Sequence, residues 1–539
     1  MASFILFSLL ALGLSVTTHG KRFMSPSQPL IEVDLGHLDG LQDRSLRLHP
    51  RDVDVFPNTG ADSITLEELG LNALPLPGAG QLQEPPLLPG GMGGSLEFPP
   101  GLSNSNDEEP DSPASSARRK YVFMHHDWVD GLLWWTDTYQ YTPDAWLSDF
   151  ERMESCGIDA VALNVGGDQW QFDQQLNFAY EAAAKTSVRV FISFDFTAFP
   201  CDVAQTIRYI NNFQDHPAQF RYAGKPMISS YSGTCLGVDG WKEVRSKTGG
   251  YLMPFTYEQD YQDLRKDMTW GFLDSWYCWG CAWPQGNYSK NTADDHYYMD
   301  ILGKRYATTI SGWIYTHYDY KNFYLRGEDW LLATRWEQLF DLRDQLTFVE
   351  MITWNDFGES DYFGPLTAGL QPEGTTWATN FPHDAWLDMS QYYIEAFKTG
   401  SWPIVTENEV YFWCRPHPAA ANALNDRLTK PTGWDWASDA LWAIVFCTAR
   451  CDVELWMGSR HQMYPGLPTG VSKIKMDLGS DDEGFIGVRM YLSITTPSFE
   501  VERIQVAEHS TQGSFEYSQF PEMYNYNVYV GKAMASGLS

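Results

Sequence analysis

The chain has 539 residues, of which 43% are hydrophobic and 15% aromatic, and its formal net charge at pH 7 is −32. This apolar content is enough for two domains with substantial cores, so a wholly disordered protein is excluded. The negative charge repels phosphate backbones and anionic membrane surfaces, so we expect no nucleic-acid or membrane partner and a neutral substrate instead.

Residues 1–20 have the layout of a secretory signal peptide. An apolar run from Ile5 to Val16 is followed by the small and polar residues Thr17, Thr18 and Gly20. A bilayer span needs about 20 apolar residues, so the run is too short for a permanent anchor, although an uncleaved anchor is the alternative. The segment predicts a secreted protein, extracellular or in a cell wall, with no membrane contact after signal removal.

Residues 21–119 are rich in Pro, Gly, Ser and acidic residues and show no sustained apolar period. This composition is typical of disorder, because too little apolar surface is available to build a core. The dibasic pairs Lys21-Arg22 and Arg118-Arg119 lie at the two ends of the segment. We therefore interpret it as a disordered leader and a possible propeptide.

Between residues 120 and 403, short apolar runs alternate with segments of helical period, as in repeated βα units. The predicted strands are 121–126, 159–166, 188–196, 226–231, 251–257, 271–279, 306–315 and 347–354. The helices carry start and stop signals, such as Thr142-Pro143 before the apolar face of Trp146, Phe150 and Met153. Eight continuous apolar strands predict a (β/α)8 TIM-type barrel, with an open doubly wound sheet as the alternative.

Residues 404–539 have a different pattern, with alternating stretches such as VELWM, SKIKMDL and FEVERIQVAEH. Alternation with period two is typical of half-buried antiparallel strands. We predict an accessory β-sandwich domain packed on the barrel. It would either bind polysaccharide or cover apolar barrel surface, and the sequence does not decide between these roles.

The eight cysteines all lie at or after Cys156, and in an exported chain they predict disulfides that brace the folded region. Their pairing cannot be assigned from sequence. Cys278 and Cys281 form a C-x-x-C pair, but no second pair or histidine cluster lies nearby to make a metal or redox site. We favour a structural role for this pair and expect no metal or organic cofactor.

Carboxylates recur where the predicted strands end, which in a parallel barrel is the face that holds the active site. The positions are Asp168, Asp195, Asp274, Asp356 and Glu359. Hydrolysis of a glycosidic bond needs two carboxyl groups, one to protonate the leaving oxygen and one to activate water or attack. Tryptophans at the same ends, among them Trp276, Trp313 and Trp354, could stack on sugar rings, although each one taken alone is more often a core residue.

The segment VEMITWNDFGESDYFGP (349–365) resembles the signature of glycoside hydrolase family 71, the fungal endo-acting α-1,3-glucanases also called mutanases. Further matches in order include KYVFMH (120–125), GIDAVALNVGGD (157–168), VFISFDF (190–196) and WIYTHY (313–318), and the resemblance covers about Lys120 to Pro403. It implies that Asp356 and Glu359 form the catalytic pair, that Asp195 assists, and that the reaction inverts the anomeric centre. The candidate substrate-binding residues are His125, Asn164, Asp168, Trp276, Trp313, His317, Trp354 and Asn355.

The sequence thus predicts a secreted, monomeric hydrolase whose partner is the polysaccharide α-1,3-glucan. It does not divide the acid and base roles between Asp356 and Glu359. The alternatives are a non-catalytic wall lectin, because the segment 278–295 departs from the usual family pattern, and a hydrolase of another α-glucan linkage. Asn287-Tyr288-Ser289 is the one clear glycosylation sequon.

Overall fold

The computed structural model describes residues 16–17, 31–34, 45–48, 119–127, 141–166, 169–257, 259–366, 375–495 and 501–535. Within residues 1–119 it describes three short strands, Val16–Thr17, Ile31–Asp34 and Ser45–Leu48, which pair as an antiparallel sheet. The predicted signal peptide and leader lie otherwise outside the described residues. Among the described helices, none combines the length and apolar character needed to cross a membrane.

A parallel sheet forms the centre of the first region. Its strands are β1 (Tyr121–His126), β2 (Ala160–Val165), β3 (Arg189–Asp195), β4 (Lys225–Tyr231), β5 (Tyr251–Pro254), β6 (Trp276–Cys278), β7 (Tyr306–Ile310) and β8 (Phe348–Met351). Parallel pairing runs in the order β6, β7, β8, β1, β2, β3, β4, β5. The two end strands, β5 and β6, approach each other, as shown by the hydrogen bond from the Ser275 N–H to the Leu252 carbonyl at 2.9 Å.

The sheet is curled, and its concave face is filled with aromatic side chains. Phe123 on β1 contacts Phe191 on β3, with ring centroids 5.1 Å apart, and Phe348 on β8, with centroids 5.3 Å apart. Tyr251 on β5 lies 6.0 Å from the same Phe348 ring, across the sheet. Strands far apart in the pairing order therefore share one core, as the continuous apolar strand pattern predicts.

Helices follow every strand of the sheet except β5, which is joined to β6 through the 3-10 helix Tyr261–Leu264. They are α1 (Pro143–Ser155), α2 (Gln169–Ala183), α3 (Val203–Phe213), α4 (Gly237–Thr248), α5 (Ala293–Leu302), α6 (Leu331–Asp341) and α7 (Asp384–Thr399). The Thr142 hydroxyl accepts a hydrogen bond from the Ala145 N–H and Pro143 occupies the first turn, so α1 begins where the sequence predicts. A hairpin of Tyr315–Tyr318 and Lys321–Tyr324, hereafter the β7–α6 hairpin, precedes α6.

Several predicted strands are shorter in the structure, including 271–279 and 306–315. The segment 271–279 contributes only Trp276–Cys278, because Gly271 and Leu273 hydrogen bond to the preceding turn. The segment 306–315 ends its ladder at Ile310, and Tyr315 instead begins the β7–α6 hairpin. At Gly312, between the two, a Cβ atom would lie 2.5 Å from the Trp386 ring, so only glycine fits without rearrangement.

The C-terminal region, residues 405–535, contains two antiparallel sheets of four strands. In order of pairing, the first holds β13 (Gly470–Asp477), β10 (Ala440–Cys447), β9 (Glu409–Cys414) and β16 (Tyr529–Met534). The second holds β12 (Arg460–Leu467), β11 (Cys451–Met457), β14 (Ile486–Thr495) and β15 (Val501–Ser510). Side chains of both sheets, such as Phe412, Val445, Leu455 and Val488, belong to one buried apolar cluster.

The C-terminal region packs directly on the first region through buried tryptophans. The indole N–H of Trp313 donates to the Tyr526 carbonyl at 2.8 Å, and that of Trp330 donates to the Ala443 carbonyl at 3.0 Å. The rings of Trp386 on α7 and Trp413 on β9 are 5.6 Å apart. Large apolar surface on each region is therefore covered by the other.

Six of the eight cysteines form disulfides, Cys201–Cys235, Cys278–Cys281 and Cys447–Cys451. Cys156 and Cys414 are buried and unpaired. The expectation that every cysteine braces the fold is therefore wrong for these two, which lie in the core as small apolar side chains. The Cys278–Cys281 pair is a disulfide, in line with the structural role favoured from sequence.

Candidate active site

The predicted catalytic pair lies in a tight turn after β8, residues 353–361, hereafter called the catalytic turn for the role predicted for this pair. The Asp356 N–H donates to the Thr353 hydroxyl and the Glu359 N–H donates to Asp356 Oδ1, both at 2.8 Å. The second bond closes a turn of three residues, so the D-x-G-E spacing itself fixes the backbone of Glu359 relative to the Asp356 carboxylate. Both acidic side chains are partly exposed, in a segment whose other residues are mostly buried.

Glu359 is held by the β7–α6 hairpin. The Lys321 ammonium forms an ion pair with Glu359 Oε1, and the Tyr315 N–H donates to the Glu359 carbonyl at 2.7 Å. The Tyr318 hydroxyl lies beside Gly358, where a Cβ atom would be 2.5 Å from it. The hairpin thus contacts the catalytic turn through both backbone and side chains.

Asp195 ends β3, as predicted. Its Oδ1 accepts hydrogen bonds from the Thr197 N–H at 2.9 Å and the Thr197 hydroxyl at 2.6 Å. Burial, with a smaller contribution from the neighbouring charge of Asp127, raises the pKa of Asp195 to about 6 against the opposing effect of these two bonds. Asp195 can therefore carry or release a proton near neutral pH.

Two of the predicted sugar-binding residues, His125 and Asn164, form a buried network with Asp127 and Glu350. His125 Nδ1 lies 2.7 Å from Glu350 Oε1, its Nε2 lies 3.4 Å from Asp127 Oδ1, and Asn164 Nδ2 donates to Asp127 Oδ1 at 3.1 Å. Burial opposes protonation of His125, but the hydrogen bonds to Asp127 and Glu350 outweigh it and raise its pKa to about 10. A charged imidazolium therefore holds Asp127 at the rim of the site.

Asp361 is a further carboxyl group in the catalytic turn that sequence reasoning missed. Its Oδ1 accepts a hydrogen bond from the Thr353 hydroxyl at 3.0 Å, and its side chain is buried. Burial, reinforced by the charges of Glu359 and Asp127, raises its pKa well above the usual range. The charge of Asp127 contributes to the raised pKa of both Asp195 and Asp361, so Asp127 lies near both carboxyl groups.

Partly exposed aromatic rings lie beside the acids. The Trp279 ring packs edge-on against His125, with centroids 4.9 Å apart, and against Tyr231, with centroids 5.0 Å apart. Burial, with Tyr257, Glu359 and Asp195 nearby, raises the pKa of Tyr231, so its hydroxyl remains a hydrogen-bond donor. On the opposite side, Tyr318 stacks on Tyr320. These rings offer surfaces and a polar group for a sugar.

The predicted tryptophans occupy a different environment. Trp276, Trp313 and Trp354 are each at most 1% exposed. Their indole N–H groups bond within the protein, that of Trp276 to the Thr256 hydroxyl at 3.0 Å and that of Trp354 to Asp149 Oδ2 at 2.8 Å. None presents a free ring face for a sugar in this structure, so we assign the three to packing rather than to stacking.

The remaining predicted residues are placed as follows. The Asn355 side chain accepts a hydrogen bond from the Asp127 N–H at 2.9 Å and donates one to the Asp127 carbonyl at 2.8 Å, so it fixes the backbone of Asp127. Both ring nitrogens of His317 are engaged within the protein, with Asn322 and Asp426. Asp168 lies outside the described residues. Asn287 is exposed, as a glycosylation acceptor requires, and its side-chain carbonyl accepts from Arg326 at 2.8 Å.

Some of the residues that the sequence analysis missed carry a signal that could have found them, and others do not. Asp127 follows β1 directly, so the rule that found Asp195 applies to it equally. Tyr318 and Lys321 were missed because the predicted strand 306–315 stops before them and no hairpin was predicted after it. Asp361 lies within the recognised signature, two residues after Glu359.

The model of glycosyl hydrolase family 71 matches residues 118–539. The chain belongs to glycosyl hydrolase family 71. Family 71 therefore includes the C-terminal sheets, beyond the 120–403 segment over which motifs suggested the resemblance. As a member of this family, the chain is a glycoside hydrolase.

Named relatives of this family 71 chain are similar over most of their length. It is 32% identical over 413 residues to a glucan endo-1,3-alpha-glucosidase of Schizosaccharomyces pombe, covering 73% of this chain and 92% of the relative. It is 31% identical over 430 residues to a mutanase of Penicillium rubens, covering 78% and 90%. A solved endo-alpha-mannosidase of Bacteroides thetaiotaomicron matches with a TM-score of 0.39 and 14% identity over 52% of this chain and 98% of that chain, too loosely to support an argument.

Proposed function

We propose that this protein cleaves α-1,3-glucosidic bonds within α-1,3-glucan, with inversion, using Asp356 and Glu359 as its acid and base. The observation that carries the proposal is the turn after β8, in which the Glu359 N–H bonds to the Asp356 carboxylate and both side chains reach the surface. The names of the two curated relatives support the substrate class. No cofactor is needed, since a carboxyl pair supplies proton transfer and water activation.

In this mechanism the protonated member of the pair donates to the leaving glycosidic oxygen, while the ionised member removes a proton from the attacking water. Positive charge that develops on the sugar ring is stabilised by the surrounding carboxylates. Asp127, fixed by the His125 imidazolium and by Asn164, is oriented to accept hydrogen bonds from sugar hydroxyls. Asp195 would assist by positioning or polarising the bound sugar.

We further propose that the curled sheet closes as a (β/α)8 barrel and that the two C-terminal sheets form a β-sandwich. The Ser275 to Leu252 bond between the end strands supports closure, and the shared apolar cluster supports the sandwich. We also propose that the protein is exported and monomeric, and export fits the predicted signal peptide, the three disulfides and the exposed sequon at Asn287.

The test measures reducing ends released from insoluble α-1,3-glucan by wild type, Asp356→Asn and Glu359→Gln, with starch and β-1,3-glucan as control substrates. Each variant should lose about 10³-fold in rate, because each removes one proton-transfer partner. Asp344→Asn is the matched control, since this exposed carboxylate lies before the amino end of β8. Its rate should equal that of wild type.

Other outcomes would change the proposal. Binding of glucan without release of reducing ends would support a wall lectin, and faster digestion of starch would indicate another linkage. Full activity in either catalytic variant would overturn the pair. A substrate with a good leaving group then separates the roles, because only the variant that lacks the acid should regain rate on it.

A further inference from the structure

The β7–α6 hairpin lies between the catalytic turn and the C-terminal region. On its catalytic side it supplies the Lys321 ammonium to Glu359 and the Tyr315 N–H to the Glu359 carbonyl. Any shift of the hairpin would therefore move the groups that orient Glu359. What fixes the hairpin on its other side decides how well this catalytic residue is placed.

On that other side, Asp426 of the C-terminal region reaches the hairpin. Its Oδ2 lies 2.8 Å from His317 Nε2, and the two side chains are 1% and 3% exposed respectively. The same Oδ2 accepts the Tyr524 N–H and Oδ1 accepts the Leu428 N–H, each at 2.8 Å. Backbone groups of the C-terminal region thus fix the Asp426 carboxylate, and this fixed carboxylate hydrogen bonds to the hairpin through His317.

Asn322 and the backbone of residues 429–432 extend this contact. Asn322 Oδ1 lies 2.9 Å from His317 Nδ1, and its amide group donates to the Thr429 carbonyl at 2.9 Å. Because the Thr429 carbonyl fixes the amide orientation, both His317 nitrogens face oxygen acceptors. Two further bonds join Thr432 to the hairpin, from the Tyr324 N–H at 2.9 Å and to the Asn322 carbonyl at 3.1 Å.

We propose that Asp426 is a positioning residue for catalysis and that the C-terminal region completes the active site by fixing the β7–α6 hairpin through His317. This inference rests on the proposed function, in which Glu359 is catalytic. The family match, which continues through the C-terminal region to residue 539, is consistent with a single catalytic unit.

The decisive variant is Asp426→Asn, tested as the full chain on soluble α-1,3-gluco-oligosaccharides. Both carboxylate oxygens accept hydrogen bonds, so an amide in either orientation places an NH₂ group against a donor. We expect kcat to fall about tenfold with little change in KM, because misplacement of Glu359 affects the chemical step more than binding. His317→Gln should show the same split and provides the test if Asp426→Asn fails to fold.

Glu337→Gln is the matched control. It breaks the Lys473 to Glu337 ion pair of 2.6 Å, which also joins the two regions but does not touch the hairpin. Its kcat should equal that of wild type. The inference is overturned if Asp426→Asn and His317→Gln keep wild-type kcat while melting at lower temperature, or if Glu337→Gln loses as much kcat as they do. Full activity of Glu359→Gln in the same assay would instead overturn the proposed function.

Discussion

At the scale of single residues, Gly358 sets the clearance between the catalytic turn and the β7–α6 hairpin. A Cβ atom there would lie 2.5 Å from the Tyr318 hydroxyl and 3.4 Å from Asp356 Oδ1. Gly358→Ala should therefore displace Tyr318 and the turn, and lower kcat about tenfold or more, as small displacements of catalytic groups do. Steady-state kinetics on α-1,3-glucan oligosaccharides would measure this effect.

Gly479→Ala is the matched control, because a Cβ atom at Gly479 meets nothing closer than 3.7 Å. Its kcat should be that of wild type. Equal rates for the two alanine variants would show that the catalytic turn tolerates the added methyl group, and that its fit to the hairpin is looser than the structure indicates.

The location of an acidic residue was predictable from the sequence where that residue follows the end of a strand. Asp195, Asp356 and Glu359 are acids at strand ends, and the structure places them at the same end of the sheet. Asp426 could not be found in this way, because it lies in a loop of another region and its importance depends on a contact 109 residues away in sequence. Trp313 shows the converse, since an aromatic ring near a strand end looks the same in sequence whether it faces a ligand or the core.

At the scale of elements, the loop after β9 contains a histidine that must remain uncharged. His417 Nδ1–H donates to the Pro418 carbonyl at 2.8 Å, while Nε2 accepts the Asn525 N–H at 2.9 Å. Burial lowers the pKa of His417 to about 4, whereas the pKa of a histidine in an unfolded chain is about 6.5. The unfolded state therefore binds an extra proton between these values, and His417 alone should lower the free energy of unfolding by about 3 kcal/mol as pH drops from about 6.5 to about 4.

Urea unfolding of wild type and His417→Gln over this pH range measures the effect. A glutamine carbonyl can accept the Asn525 N–H but does not titrate, so the variant should lose less stability in acid than wild type. His296→Gln, which replaces an exposed histidine, should keep the wild-type slope. Parallel slopes for His417→Gln and wild type would contradict the assignment.

Elements were predictable where their ends carry local signals. Helix α1 begins directly after Thr142, the predicted cap, and α7 ends at Gly400, whose φ of 79° is the left-handed conformation typical of glycine at a helix end. Strand β6 was not, because nearby turn bonds shorten it to three residues although its apolar run is longer. Whether such residues form a turn or pair as a strand depends on tertiary contacts, and an apolar sequence pattern carries no information about those contacts.

At the scale of the molecule, the contacts between the two regions predict that they fold as one unit. A chain that ends at Ile404 would lose the partners of Trp313, Trp330 and Trp386, and would expose large aromatic surface to water. We expect it to be insoluble, or to lack cooperative thermal unfolding measured by tryptophan fluorescence. A chain that starts at Lys120 is the control and should fold, because the sheet and its covering contacts begin there.

A soluble, cooperatively folded chain ending at Ile404 would contradict this view. That result would show that the C-terminal region is a separate module attached to the first region. Pull-down of residues 405–539 on insoluble α-1,3-glucan would then test whether this module binds polysaccharide. The sequence left these two roles open, because an apolar strand face looks the same whether it meets a neighbouring region or only its own sandwich.

The point at which the chain enters the sheet also has a practical meaning. Arg119 and Lys120 lie at the amino end of β1, whereas Asp127, Asp195 and the catalytic turn lie at the carboxyl ends of their strands. A parallel strand of six residues separates these two faces by about 20 Å. An enzyme attached to a solid support at Arg119 would therefore turn the face that carries these acids away from the support, toward the polymer.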